Sequence, residues 1–240
     1  RDRLRSRGLG DVYKRQNFKI ALAVLAAVSA LAMSLSSCSK DNGPYYPVYN
    51  GLVTIKTTDS GVTYFQLDKK TTLEPTNWKN PYKREVRALL QYSEEPGEVG
   101  LFSKKIKVAS IDSVRTKSAV SYDNEFMKGN NAPIELYNDW VTCLEDGYLT
   151  IHFTALFGRG GKIVHIVDLA VDPKTLDLYL KHDNNGDNGY IPGEGVIAFK
   201  IDDLLKDVKD GQELTLHWKG SEGEKTAKVK YLSRFALPQK

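Results

Sequence analysis

Metal-ligating and nucleophilic side chains are scarce in this chain, with 4 His and 2 Cys among 240 residues. His152, His165, His182 and His217 stand singly, with no pair at ligand spacing, so each reads as a solvent-facing strand residue. No serine nucleophile elbow and no zincin motif occurs. Phe157-Gly158-Arg159-Gly160-Gly161 is rich in glycine, but no helix follows to aim backbone N–H groups at a phosphate, and a hairpin loop is expected there. These absences remove the motif-encoded routes to catalysis, and no cofactor is expected. A hydrolase built on dispersed carboxylates is the enzymatic alternative that one sequence leaves open.

A basic block is also lacking. The net charge of +4 is concentrated in residues 1–37, which hold seven Lys/Arg and two Asp; removing them from 34 and 30 leaves 27 bases against 28 acids. A polyanion-binding function loses its electrostatic basis once that leader is set aside. Residues 1–16, RDRLRSRGLGDVYKRQ, contain no Met and resemble translated adaptor sequence, with native sequence expected from Asn17. The single long apolar run, residues 20–35 (IALAVLAAVSALAMSL), follows Lys14, Arg15 and Lys19. It is shorter than the roughly 20 residues of a relaxed membrane span and reads as a signal-peptide core over 17–37. Leu35-Ser36-Ser37-Cys38 closes it and resembles the lipobox of bacterial lipoproteins, making Cys38 the lipid attachment site. A thioether there leaves Cys143 without a disulfide partner. Several acyl chains on one cysteine make a stable tether, at about 0.8 kcal/mol per buried methylene. Residues 38–49 are then lipidated cysteine and stalk, and Ser39 resembles the sorting position of lipoproteins sent to the outer membrane, facing the periplasm or the cell surface.

Period-two alternation dominates the chain beyond the stalk. Strands are expected at Leu52–Thr57, Thr63–Asp68, Val86–Tyr92 and Lys105–Ile111, enough for a small closed barrel over 50–118. A joining segment spans 119–138. From 139 to 236, seven more strands are expected, including Trp140–Leu144, Tyr148–Ala155, Lys162–Val171 and Val196–Ile201, with a hairpin turn at Glu145-Asp146-Gly147. That spacing predicts an antiparallel β-sandwich. One helix is expected, Asp203–Lys209 capped by Asp202. The fold class is all-β: an OB-like barrel, then a sandwich. Residues 45–118 carry 12 bases and 8 acids, and 119–240 carry 14 and 19, an opposition suited to docking of the two bodies.

Residues 181–194, KHDNNGDNGYIPGE, pose a sharper question. Asp183, Asn185, Asp187 and Glu194 occupy positions 1, 3, 5 and 12 of a calcium loop, with Asn188 where Gly is usual. The flanks alternate as strands, however, and Asn185-Gly186 and Asn188-Gly189 are turn formers. A strand-connecting loop with no metal is the preferred reading. Trp78, Tyr82, Arg84, Arg87 and Tyr92 are the candidate ligand-binding residues, an aromatic and basic set suited to a stacking face of the barrel. Outside the cytoplasm the expected partner is a protein, peptide or glycan, besides the membrane that holds the anchor, and not nucleic acid.

The order of lipobox, short stalk, barrel and sandwich resembles the NigD-like lipoproteins. Val53-Thr54-Ile55-Lys56-Thr57, Tyr64-Phe65-Gln66-Leu67-Asp68 and Ile106-Lys107-Val108 resemble their N-terminal OB-type domain. Glu145-Asp146-Gly147-Tyr148-Leu149, the stretch Leu180–Asp187, Val196–Phe199 and Ser221–Thr226 resemble their C-terminal sandwich domain. The tether, the two β modules and the lack of a catalytic constellation point to a non-catalytic envelope lipoprotein that binds a partner, whereas the resemblance supports the two-domain β architecture and implies little about activity. It brings no catalytic residues, and the family's name implies, as an alternative, an immunity or accessory role beside a bacteriocin.

Overall fold

The computed structural model describes residues 47–234. The leader, Cys38 and the stalk as far as residue 46 lie outside the described residues. The first body is a closed five-stranded barrel: β1 (Val48–Thr57), β2 (Thr63–Gln66), β3 (Thr72–Pro75), β4 (Val86–Glu95) and β5 (Lys104–Ser113), in the order β1-β2-β3-β5-β4 with β4 returning to β1. Closure removes the edges a five-stranded sheet would expose. A register shift between Gln91 and Tyr92 in the β4–β5 ladder supplies the local bend closure needs. Val53, Ile55, Phe65, Leu73, Leu90 and Ile106 fill the interior. β1 is buried on both faces from Gly51 to Lys56. Val53 and Ile55 enter the barrel core, while Leu52 packs with Val114 and Ala198, and Lys56 reaches Asp146.

The second body is a sandwich. Its strands are β6 (Arg115–Ser118), β7 (Val120–Ser121), β8 (Glu135–Leu136), β9 (Cys143–Glu145), β10 (Tyr148–Phe157), β11 (Ile166–Asp172), β12 (Asp177–Asp183), β13 (Ile191–Lys200), β14 (Glu213–Gly220) and β15 (Gly223–Lys230). One sheet runs β6-β13-β10-β8 with β9 also on β10; the other runs β15-β14-β12-β11-β7. The long pairs are antiparallel, and three short parallel pairings (β6 on β13, β7 on β11, β12 on β14) complete the sheets. Alternation is cleanest in β12 and β14, where every second residue is buried. Leu149, Ile151, Leu169, Leu178, Phe199 and Leu214 lead the core between the sheets.

Several sequence expectations give way here, each for a local reason. The strand expected at Trp140–Leu144 shortens to β9, because the Asp139 carboxylate accepts the N–H groups of Val141 (3.0 Å) and Thr142 (3.2 Å) and winds the chain into a turn. The helix expected over Asp203–Lys209 is only a 3-10 turn, Asp202–Leu204, with no side-chain cap. Asp202 faces Arg234 Nε at 2.7 Å and is not a capping residue. Residues 162–165 do not enter β11, since His165 turns inward. The glycine-rich stretch after Phe157 is not a hairpin, because β10 and β11 lie in different sheets. β3 has no counterpart among the expected strands; its four residues, Thr-Leu-Glu-Pro, are too few to display alternation. Residues 119–138 contribute β7 and β8 to the two sheets, and Val48 and Tyr49 begin β1.

Candidate functional site

Two loops build the end of the sandwich remote from the barrel. Residues 158–165 carry the chain from β10 to β11, and residues 184–190 carry it from β12 to β13. Phe157 pairs with Ile191 and Ile166 with Asp183, so both loops emerge from neighbouring strand ends. The Asn185 amide donates to the Val164 carbonyl at 2.6 Å and ties one loop to the other. The approach is close at Gly189: a Cβ there would lie 1.9 Å from the Phe157 carbonyl carbon, so no larger residue fits.

Asp187 is the organiser. Its carboxylate accepts the N–H of Gly158 (2.8 Å) and of Gly189 (2.9 Å), and its Oδ2 lies 3.1 Å from His165 Nε2. These bonds, that from Gly158 foremost, hold its carboxyl below the usual carboxylate range. His165 Nδ1 meets His182 Nε2 at 3.0 Å, and His182 Nδ1 meets the Pro133 carbonyl at 3.2 Å. Phe157 stacks on the His165 ring at 4.3 Å. His182 is 1% exposed, and burial lowers its pKa, with His165 acting the same way. The two rings are therefore a buried pair and not separate solvent-facing residues. Sequence spacing hid this, because 17 residues of the β11–β12 hairpin separate them; the inward turn at His165 carried no pattern.

What surrounds this framework is apolar and open to solvent. Leu156, Ile163, Val164, Ile166, Tyr190 and Ile191 are all exposed, Val164 at 65% and Tyr190 at 78%. Beside them a groove of about 460 Å3 runs between β10, residues 132–135 and the 184–192 stretch, lined by Ile134, Ala155, Leu156 and Pro192 with Asn184, Asn188 and Ser221. Apolar side chains gathered at loop tips cost solubility and mark contact surfaces. A second cavity of about 510 Å3 opens between β8–β9 and β15, with Leu216 and Trp218 among its lining residues. The Trp218 indole N–H has no partner there.

Residues 52–114 match the model of the NigD-like N-terminal OB domain, and residues 116–231 match that of the NigD-like C-terminal β-sandwich domain. The chain belongs to the NigD-like family. Solved structures agree. A Parabacteroides distasonis protein provisionally named toxin-related is 27% identical, covering 78% of this chain and 94% of its own, with a TM-score of 0.60. A Bacteroides fragilis protein provisionally named a lipoprotein is 15% identical, covering 78% and 99%, with a TM-score of 0.60. A NigD-like immunity protein of Bacteroides caccae is 19% identical, covering 78% and 94%, with a TM-score of 0.52. Among curated proteins, none matches the chain.

In this NigD-like chain the five aromatic and basic candidates do not form one face. Arg87 is 1% exposed and sits in the junction between barrel and sandwich, donating to Glu145 Oε1 (2.8 Å) and Thr54 Oγ1 (3.0 Å). Tyr92 belongs to the barrel core, while Trp78, edge-on to Phe65, and Tyr82 pack against that core. Arg84 is exposed. Of the three rings only Tyr92 is buried; Trp78 and Tyr82 are half-buried, and Tyr82 shares a small cavity with Arg84. Cys38 lies outside the described residues.

The 181–194 stretch of this NigD-like chain connects β12 to β13, and its would-be ligands diverge. Asp183 accepts from Asn130 and from its own turn, Glu194 lies within β13 and accepts the Tyr137 hydroxyl at 2.7 Å, and Asp187 faces inward toward His165. Among the described residues no group of three His, Cys, Asp or Glu is placed to hold a metal ion. His152 sits 2.6 Å from Asp139, and His217 sits 2.8 Å from Asp177 and stacks on Tyr179; both are partnered side chains. Cys143 is a free cysteine whose thiol is pushed up to about 12, first by burial and then by Glu145, which leaves no nucleophilic thiolate near neutrality.

Proposed function

We propose that this NigD-like chain is a non-catalytic envelope protein, held in the outer membrane by acyl chains on Cys38, which binds a protein partner through the free end of its sandwich. The observation that carries the binding surface is the gathering of six exposed apolar residues, Ile163, Val164 and Tyr190 on two adjoining loops and Leu156, Ile166 and Ile191 at the strand ends beside them, next to a groove and above a buried hydrogen-bonded framework. Preorganised loops lose little entropy on binding, which favours recognition. The anchor is supported by the order of basic residues, apolar run and Leu-Ser-Ser-Cys before residue 39. The test compares recovery of envelope partners by crosslinking to the wild-type chain and to Val164→Asp and Tyr190→Asp variants. Selective loss of one crosslinked species in both variants is expected; identical recovery refutes the surface. Mass analysis of the Cys38 peptide from native membranes tests the anchor independently, and an unmodified thiol overturns it.

A second reading, immunity or accessory function beside a secreted toxin, is favoured by the likeness to the Bacteroides caccae NigD-like immunity protein. Deleting the gene and challenging cells with the toxin encoded nearby decides it, with unchanged sensitivity removing the reading.

A further inference from the structure

The buried chain Asp187–His165–His182–Pro133 contains three hydrogen bonds, at 3.1, 3.0 and 3.2 Å, and ends on an oxygen acceptor at each side. Each bond needs one hydrogen, and two neutral imidazoles supply two. The chain is complete only with one proton more. The Asp187 carboxylate already accepts two backbone N–H groups and is held in its ionised form, so the extra hydrogen belongs to the imidazole pair. Both rings are buried, but only His165 faces a carboxylate, so the geometry puts the additional hydrogen on the ring against Asp187.

We propose that this chain is a proton-dependent clasp that holds loops 158–165 and 184–190 and the segment of residues 131–134 in the arrangement presenting Val164 and Tyr190. Each link joins a different piece: Asp187 fixes Gly158 and Gly189, His165 ties the first loop to β12, and His182 ties β12 to residues 131–134, whose Ala132 N–H also donates to the His182 carbonyl at 2.7 Å. Removing the extra proton leaves one link without a hydrogen between two lone pairs. The clasp is whole on the acid side of the imidazole range and loosens as pH rises. The groups facing it are few. β10 contributes only the Phe157 ring, β12 contributes Asp183, the 184–190 loop contributes Asp187, and residues 131–134 present an amide and carbonyls. Arg159 and Lys162, the cations of the first loop, are exposed. As regulation of the binding end, this rests on the surface proposed above.

The experiment is amide exchange and nitrogen-15 imidazole spectroscopy on the wild-type chain between about pH 5 and 8. At the acid end His165 is expected to show hydrogens on both nitrogens. Protection of the Gly158 and Gly189 amides, corrected for intrinsic exchange, should fall about tenfold toward the alkaline end, the equivalent of one hydrogen bond. His165→Gln keeps a polar side chain without titration and is expected to flatten that dependence. Constant protection in the wild type, or two singly protonated rings at the acid end, overturns the clasp. Neither readout involves a partner, so failure of the clasp and failure of the surface are distinguished by the crosslinking result.

Discussion

Arg87 shows how one side chain changes meaning when its surroundings appear. In sequence it stands among aromatic residues and suggests a ligand contact; in the fold it is enclosed by Thr54, Thr150, Cys143 and Glu145. A guanidinium suits that place because its fixed fork satisfies several acceptors at once. Truncation would strand the Glu145 carboxylate against the barrel. Arg87→Ala is expected to cost roughly 3–5 kcal/mol, read as a lower urea midpoint, and Arg87→Lys should recover only part of it, since an ammonium cannot reach the same acceptors. The histidines make the converse point. Alternation in β12 shows that His182 shares a face with Leu178 and Leu180, but nothing in sequence declares that a second imidazole turns in beside it.

The elements most legible in sequence were long strands ended by strong turn signals. The β9–β10 hairpin was readable from Glu145-Asp146-Gly147, and it forms a two-residue turn with φ of 51° at Asp146 and 83° at Gly147, the pairing that suits the strand twist. Short elements were not legible. β3, β7 and β8 have two to four residues each, too few to display a period, and β7 and β8 pair only with strands distant in sequence. The apolar cluster proposed as a binding surface escaped detection for a related reason. Its residues belong to two loops and the strand ends beside them, which only the fold brings together. The hairpin supplies its own test. A Cβ on Gly147 would stand 3.0 Å from the Asp202 Cβ and 3.1 Å from Arg234 Nε, on a backbone that L residues rarely adopt. Gly147→Ala is expected to destabilise by about 1–3 kcal/mol, whereas Gly160→Ala, at similar φ but with open space around it, should cost less; paired urea melts make the comparison.

At the scale of the molecule, the opposed charges of the two halves resolve into specific links across the junction. Lys56 meets Asp146 at 2.7 Å, Arg87 meets Glu145 at 2.8 Å, Lys69 pairs with Asp210, and Arg234 returns from the sandwich to Glu85 at 2.7 Å. The two buried pairs, Lys56–Asp146 and Arg87–Glu145, give register more than net stability, and the exposed Lys69–Asp210 pair contributes little. The Lys69 ammonium, followed by Ser233, draws the Asp210 carboxyl down from 3.8 to about 2. A carboxyl lower in the folded state than in the unfolded one stabilises above about pH 3.8, and that contribution disappears as pH falls toward about 2. Thermal unfolding across that window should show a falling midpoint, and Asp210→Asn should remove this part of the acid dependence. The passage between the bodies has a mechanical consequence. β5 ends at Ser113 and β6 starts at Arg115, so one residue, Val114, makes the crossing, and its N–H is bonded to the Arg87 carbonyl at 2.7 Å. With no slack at that joint, any reorientation of the barrel has to carry β6, and the β13 edge it is paired to, along with it.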